Sequence, residues 1–365
     1  MTFCENIKNT LINNKMIDDK KIYKINKNNR IYEINKNIKL GEGSYSTVYF
    51  GNMIELIVEE IVTKPIAIKK IIKSNLTQRG NLMLNSEIKI MKDMMIYDHI
   101  NIVKCYDVID DIDVIYIIME YCENGDLSTL LSKGLLKYDY VKYYFGQIIC
   151  AIKYLNDNNI IHRDLKPKNM LISDNYKKIK ICDFGFAKHF DGLKKVMTIC
   201  GSPLYMAPEI YQKIGYTSSV DVWALGLILY EMLFGDHPLI KYNDPLKIAN
   251  QITNNDILIP IENEQMKIIE PECIDILKKM LKKDTDRMTI TELLREKWII
   301  ECMSINLPND NIELFGNNIT EKSIISKFEN QSLFDSKSMI FDESNSFDES
   351  SCSEKELKLT FDMED

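Results

Sequence analysis

The chain has 365 residues, enough for one large domain or two ordinary ones, with ample length for a buried core. Hydrophobic residues make up 45% and charged residues 27%, the balance of a soluble globular protein. A formal net charge of −8 argues against nucleic acid or an anionic membrane as the main partner.

The nine cysteines are scattered, with no C-x-x-C pair and no histidine cluster at zinc spacing. They read as reduced, mostly buried thiols of an intracellular, cytoplasmic protein without structural zinc. Cys122, Cys182 and Cys200 lie in or next to the motifs below, near the nucleotide site those motifs imply, and are candidates for modification. Met1–Lys21 lacks the apolar segment of a secretory signal. The longest apolar run, Val222–Phe234, is too short to cross a bilayer and contains Glu231, so it reads as a buried helix and not as a membrane insertion.

Residues 1–30 are rich in Lys and Asn, with weak apolar spacing at Ile7, Leu11, Ile12 and Ile17, and read as a short helix or a flexible extension. From Ile31 the alternation I-Y-E-I-N-K-N-I-K-L suits a strand leading into G-E-G-S-Y-S-T-V-Y-F-G (41–51). A lone G-x-G-x-x-G fits either a dinucleotide-binding turn or a phosphate-covering hairpin, and here Ser46 stands in place of the third glycine. The alternating T-V-Y-F-G that follows is a strand pattern, whereas the dinucleotide motif must open a helix. A hairpin is therefore expected, with Gly41 and Gly43 letting backbone N–H groups approach phosphates.

The β-rich run P-I-A-I-K-K-I-I (65–72) carries Lys69, a charge that needs a partner if its strand is buried. The helical stretch 77–96 has an apolar stripe at 84, 88, 91 and 95, and Glu87 sits on the edge of that stripe. Taken alone, Glu87 is either that partner or an ordinary solvated glutamate. Strand-like runs follow at 102–109 and 114–122, then helical periodicity over 138–158, a strand pair at 169–173 and 178–182, and helices near 219–234, 245–253, 271–282 and 289–298.

Between these lies H-R-D-L-K-P-K-N (162–169), followed by D-F-G (183–185) and A-P-E (207–209). The set suits transfer of a phosphoryl group to a hydroxyl, which needs positioning and charge neutralisation more than covalent chemistry. Asp164 is placed to accept the hydroxyl proton, and Lys166 to neutralise charge on the migrating group. Asn169 and Asp183 offer hard oxygen ligands suited to magnesium.

In this order and spacing the motifs resemble the protein kinase family, and Lys166 resembles its serine/threonine branch. The resemblance covers about Ile31–Glu301. It implies an α+β, bilobal fold: a small antiparallel β-rich N-lobe with one main helix (about 31–119) and a larger, mostly helical C-lobe (about 123–301). ATP and Mg2+ are the implied cofactors and protein hydroxyls the substrates. Lys69 with Glu87 would anchor the phosphates, and Leu40, Val48, Ala67 and Leu171 would enclose adenine. Met119 would guard the back of the pocket, with the Glu120–Cys122 backbone bonding the base. Asp126 would bind ribose, and it equally suits a helix N-cap before L-S-T-L-L. The resemblance also implies that Asp221 holds the catalytic loop and that Arg287 pairs with Glu209.

M-E-Y-C-E-N-G-D-L, I-I-H-R-D-L-K-P and T-I-C-G-S-P-L-Y-M-A-P-E-I look most like the autophagy-initiation kinases, whose catalytic type is implied and whose pathway is not. Arg163, beside Asp164, needs an anion, and a phosphate on Thr198 suits it; phosphorylation there would order the segment from Asp183 to Glu209. Lys168 disfavours basic substrates by like-charge repulsion, and Phe186 resembles kinases that prefer serine over threonine. The alternatives are a silent pseudokinase scaffold, against which every catalytic position is filled, and a kinase-like fold acting on small molecules, against which G-S-P-L-Y (201–205) resembles a peptide platform.

Beyond Cys302 the texture turns polar, then acidic, Ser-rich and punctuated by Phe, with F-D-S and two F-D-E-S repeats. Residues 302–365 are therefore expected to be disordered. They serve either as a solubilising tail or as a docking or pseudosubstrate-like segment for a partner.

Overall fold

The computed structural model describes residues 22–27, 30–43, 46–57, 60–96, 98–190, 195–242, 244–260, 268–306, 314–315 and 339–340. The N-terminal part is one six-stranded antiparallel sheet in the order β1-β2-β3-β4-β6-β5. Its strands are β1 (Ile22–Lys27), β2 (Arg30–Glu42), β3 (Ser46–Ile57), β4 (Glu60–Ile72), β5 (Cys105–Asp110) and β6 (Val114–Glu120). Helix α1 (Gln78–Ile96) lies between β4 and β5 in sequence.

Ile66, Ala67 and Ile68 of β4 are buried in succession because both faces of the sheet are covered there. Ile66 and Ile68 join Tyr32, Ile34, Met53, Tyr116 and Ile118 in a small cluster, while Ile71 belongs with Ile115, Ile117 and the α1 residues Leu84 and Met91 to the main core. Lys69 shares the parity of Ala67 and Ile71, which places it on the α1 side of the sheet.

Strand β1 corrects the expectation of a helix or a flexible extension for residues 22–27. It pairs antiparallel with β2 from Ile22↔Asn35 to Lys27↔Arg30. Lys24 meets Glu33 across the pair at 2.7 Å, and Ile25 packs on the small cluster. The alternation I-Y-K-I followed by the Asn-rich run N-K-N-N carries this signal in the sequence. Lys27 Nζ also donates to Asp107 Oδ1 (2.7 Å) and the Val108 carbonyl (2.9 Å), so the two edge strands of the sheet are tied together. The apolar spacing at Ile7–Ile17 lies outside the described residues.

The C-terminal part is mostly helical: α2 (Leu127–Ser132), α3 (Tyr138–Asp157), α4 (Pro208–Tyr211), α5 (Ser219–Phe234), α6 (Pro245–Asn254), α7 (Pro271–Met280), α8 (Ile290–Leu293) and α9 (Lys297–Ser304). Short strand pairs join β7 (Ile160–Ile161) to β10 (Lys188–His189) and β8 (Met170–Ser173) to β9 (Lys178–Ile181). The α+β, two-lobed arrangement is the expected one. Helix α5, apolar on every side, is the buried centre of this part, and even Glu231 is covered, accepting from the Tyr205 hydroxyl at 2.7 Å.

One helix expected over 289–298 is two. A Thr289–Glu292 capping box starts α8. Helix α9 then docks on α3, with Trp298 5.9 Å from Phe145. A Cβ at Gly146 would stand 2.1 Å from the Cys302 carbonyl oxygen, so only glycine permits that approach. Cys302 is buried, and the packed domain thus runs past Glu301. Leu314 is buried too, and its carbonyl accepts from Lys137 N at 2.9 Å. Further along the tail, β12 (Met339–Ile340) pairs antiparallel with β11 (Cys200–Gly201). The expected disorder of 302–365 is therefore corrected at these points, and the rest of the tail lies outside the described residues. No described helix is long and apolar enough to cross a membrane.

Candidate active site

The two lobes meet at Lys69. Its Nζ lies 2.6 Å from Glu87 Oε1 on α1 and 3.3 Å from Asp183 Oδ1. Glu87 is thus buried and paired, not a solvated glutamate. Burial alone would lower the Lys69 pKa, but Asp183 and then Glu87 outweigh it and hold the ammonium well above its ordinary value. The Lys69 charge in turn holds the Asp183 carboxyl down at about 2. Burial pushes Glu87 upward against the pull of Lys69. Asp183 adopts φ 62°, a left-handed conformation that a non-glycine residue keeps only when its surroundings fix it. Beside it, Phe184 is buried against the His162 ring at 5.2 Å.

The catalytic loop is fixed from below by Asp221 on α5. Its two carboxylate oxygens accept from His162 N (2.8 Å) and Arg163 N (2.9 Å), which holds Arg163 at φ 67°. Asp164 is surrounded by donors. Its Oδ1 accepts from Ser202 N and Ser202 Oγ, both at 2.8 Å, and its Oδ2 from Asn169 Nδ2 at 3.1 Å. Lys166 Nζ lies 3.2 Å from the same carboxylate and donates to Ser202 Oγ at 2.6 Å. Asn169 Nδ2 also donates to the Asp164 carbonyl (2.8 Å), which leaves the amide oxygen as its acceptor end. Ser202 was not singled out in the sequence. Its signal was a hydroxyl residue inside G-S-P, between the D-F-G and A-P-E motifs.

The residues expected to bind the nucleotide fall on or beside β2, β3, β4, β6 and β8 and at the start of α2. In the sheet register Gly41 opposes Val48, Val48 opposes Lys69, and Ala67 opposes Met119. Leu40 is largely exposed, Gly43 N donates to the Ser46 carbonyl at 2.8 Å to close the hairpin, and Leu171 bridges Asp126. Asp126 caps α2 by accepting from Thr129 N at 2.7 Å. Glu120, at the end of β6, is anchored by Lys180 Nζ at 2.9 Å and Lys104 N at 3.2 Å. A cavity of about 440 Å³ between Lys36, Tyr49, Lys70 and Asp113 contains none of the predicted site residues.

The protein kinase domain model matches residues 34–299. The chain belongs to the protein kinase family. It is 36% identical over 271 residues to serine/threonine-protein kinase atg1 of Dictyostelium discoideum, covering 72% of this chain and 38% of that protein. It is 33% identical over 264 residues to serine/threonine-protein kinase ULK3 of Homo sapiens (72% and 53%). Serine/threonine-protein kinase dkf-1 of Caenorhabditis elegans is 33% identical over 268 residues (71% and 35%). The chain thus spans about a third to a half of the length of these relatives.

Within this kinase domain, further contacts fix the stretch between D-F-G and A-P-E. Arg163 Nη1 lies 3.4 Å from the Tyr216 hydroxyl, which itself donates to the Thr198 carbonyl at 2.6 Å. Tyr216, unmarked in the sequence, therefore links the cation to the predicted phosphorylation site. Further on, Arg287 forms a bidentate pair with Glu209 at 2.6 and 3.0 Å, with both side chains buried. Burial pushes the Cys122 thiol up to about 12 and the Cys182 thiol well above its ordinary value, which disfavours the reactive thiolate at both.

Proposed function

We propose that the chain is an active serine/threonine protein kinase that moves the γ-phosphoryl group of ATP to protein hydroxyls. The observation that carries this reading is the convergence of Lys69, Glu87 and Asp183 across the lobes, beside Asp164, Lys166 and Asn169 held on one loop. A silent scaffold has no need to keep a buried ammonium between two carboxylates.

In this reading Lys69, fixed by Glu87, binds the nucleotide phosphates, and Gly41, Gly43 and Ser46 cover them. Leu40, Val48, Ala67, Met119 and Leu171 enclose the adenine, with the Glu120–Cys122 backbone as its bonding edge. Asp126 keeps its capping bond and offers its other oxygen to the ribose. Asp183 and the Asn169 amide oxygen would hold Mg2+, which when bound offsets negative charge on the phosphate oxygens. The paired, low-pKa carboxylate of Asp183 fits that role, since it stays ionised at neutral pH. Asp164 orients the acceptor hydroxyl and takes its proton, while Lys166 faces the charge on the group in transit.

Lys168 makes arginine-rich substrates unfavourable, and Phe186 favours serine acceptors. Phosphorylated Thr198, near Arg163 through Tyr216, stabilises the segment that ends at Glu209. The thiol chemistry fits a cytoplasmic, intracellular enzyme. The acidic tail has a docking role, developed below.

The test is labelled transfer from ATP to a mixed peptide library. Serine peptides without arginine dependence are the expected products. Strong arginine dependence would remove the role given to Lys168, and threonine preference that given to Phe186.

A further inference from the structure

The strand pair β11–β12 brings the C-terminal tail to the catalytic loop. Met339 pairs with Gly201 and Ile340 with Cys200, antiparallel. Gly201 directly precedes Ser202, whose N–H and hydroxyl both bond Asp164 at 2.8 Å. The backbone of β11 is pressed onto that loop, because a Cβ at Gly201 would stand 2.7 Å from the Arg163 carbonyl oxygen, and Gly201 takes φ 115°. An extended segment added at β11 therefore ends one residue from Ser202, the direct hydrogen-bond partner of Asp164.

The chain can make this connection with itself. Leu314 and Phe315 dock at the start of α3, through Lys137 N to the Leu314 carbonyl and a bridge between Leu136 and Phe315. From there to Met339 about two dozen residues intervene, an extended reach of about 80 Å. Addition of a strand to an edge supplies main-chain hydrogen bonds without demanding a particular side chain.

We propose that the tail, through Met339–Ile340, occupies the peptide-substrate edge of the kinase in cis, so that a protein substrate must displace it. This rests on the kinase reading of the same site. The edge at Cys200–Gly201 is the one an incoming peptide needs to bring its hydroxyl to Asp164. The tail thus acts as a tethered competitor of substrate and leaves the nucleotide side of the cleft untouched. A fraction of free edge below one raises the apparent KM for peptide and not kcat.

The test uses the full chain and the double variant Met339→Pro/Ile340→Pro, which removes the N–H groups of β12 and touches no residue of the catalytic loop. The KM for a serine peptide is expected to fall by about three- to tenfold, with kcat and the KM for ATP unchanged. A fluorescent peptide spanning residues 332–345, with its serines replaced by alanine, is expected to bind the variant more tightly than the native chain by a similar factor. Equal KM values and equal binding in the two chains would overturn the proposal. If neither chain transfers phosphate while the fluorescent peptide still distinguishes them, the activity reading fails and the tail docking stands.

Discussion

Lys69 on β4 and Glu87 on α1 meet at 2.6 Å, and the same ammonium reaches Asp183 at 3.3 Å. Strand, helix and the D-F-G loop are joined through one charge. Replacing Glu87 by Gln keeps the shape and loses the charge, so Lys69 leans further toward Asp183 and away from the place proposed for the phosphates. The expected outcome for Glu87→Gln is a fall in kcat/KM of about 10- to 100-fold with a preserved fold. Steady-state kinetics beside circular dichroism reads both, and an unchanged kcat/KM would contradict the role of Glu87.

Arg287 and Glu209 are a stability pair. Both are buried, bonded at two points, and the guanidinium also lies 5.1 Å from the centre of the Trp223 ring. Arg287→Ala strands a buried carboxylate, at a cost of about 3–5 kcal/mol. Thermal unfolding should show a Tm lower by on the order of 10 °C. A shift within error would mean the pair is dispensable.

Thr198→Ala should lower activity by about tenfold in enzyme prepared with its activation segment phosphorylated, because Arg163 then lacks its anion. Arg163→Gln should produce the same loss and make the Thr198→Ala effect disappear in the double variant. Phosphopeptide mass spectrometry with kinetics on the four chains decides this. Full activity of Thr198→Ala removes the idea.

His237 ties stability to pH. Burial pushes its pKa from 6.5 down to about 3, and its Nδ1 accepts from Leu239 N at 3.1 Å, with Tyr205 edge-on at 4.8 Å. The unfolded chain takes up a proton near pH 6.5, whereas the folded ring stays neutral until about pH 3. Stability supplied by the neutral ring is therefore complete above pH 6.5 and declines as pH falls toward 3. Denaturant unfolding at pH 7.5 and 5.5 should differ by about 1.4 kcal/mol from this residue, a difference that His237→Asn removes. An identical pH slope in the variant would contradict it.

Much of the site was legible in the sequence because its chemistry is written in short runs. H-R-D-L-K-P-K-N places Asp164, Lys166 and Asn169 on one loop, and D-F-G brings Asp183 beside them. The Lys69–Glu87 pair was legible only through the family resemblance, because a charge on a buried strand and a glutamate at the edge of a helical stripe left a solvated Glu87 equally open. What escaped notice depends on long-range closure. Ser202 and Tyr216 are ordinary hydroxyl residues until the chain brings them to Asp164 and Arg163. Strand β1 was obscured because Lys- and Asn-rich composition suggests a loose end, and only pairing with β2 makes its alternation a strand. Likewise the break between α8 and α9 comes from the docking of Trp298 and Cys302 on α3, with no Gly or Pro to mark it.

Magnesium-dependent transfer of labelled phosphate from ATP to serine peptides, comparing the native chain with Asp164→Asn, puts the kinase activity to its sharpest test. The native chain is expected to transfer phosphate, to lose that activity on chelation of the metal, and to exceed the variant, whose fold is unchanged, by about 10³-fold or more. Equal transfer by the two chains, or none by the native chain after phosphorylation at Thr198, would contradict the kinase reading.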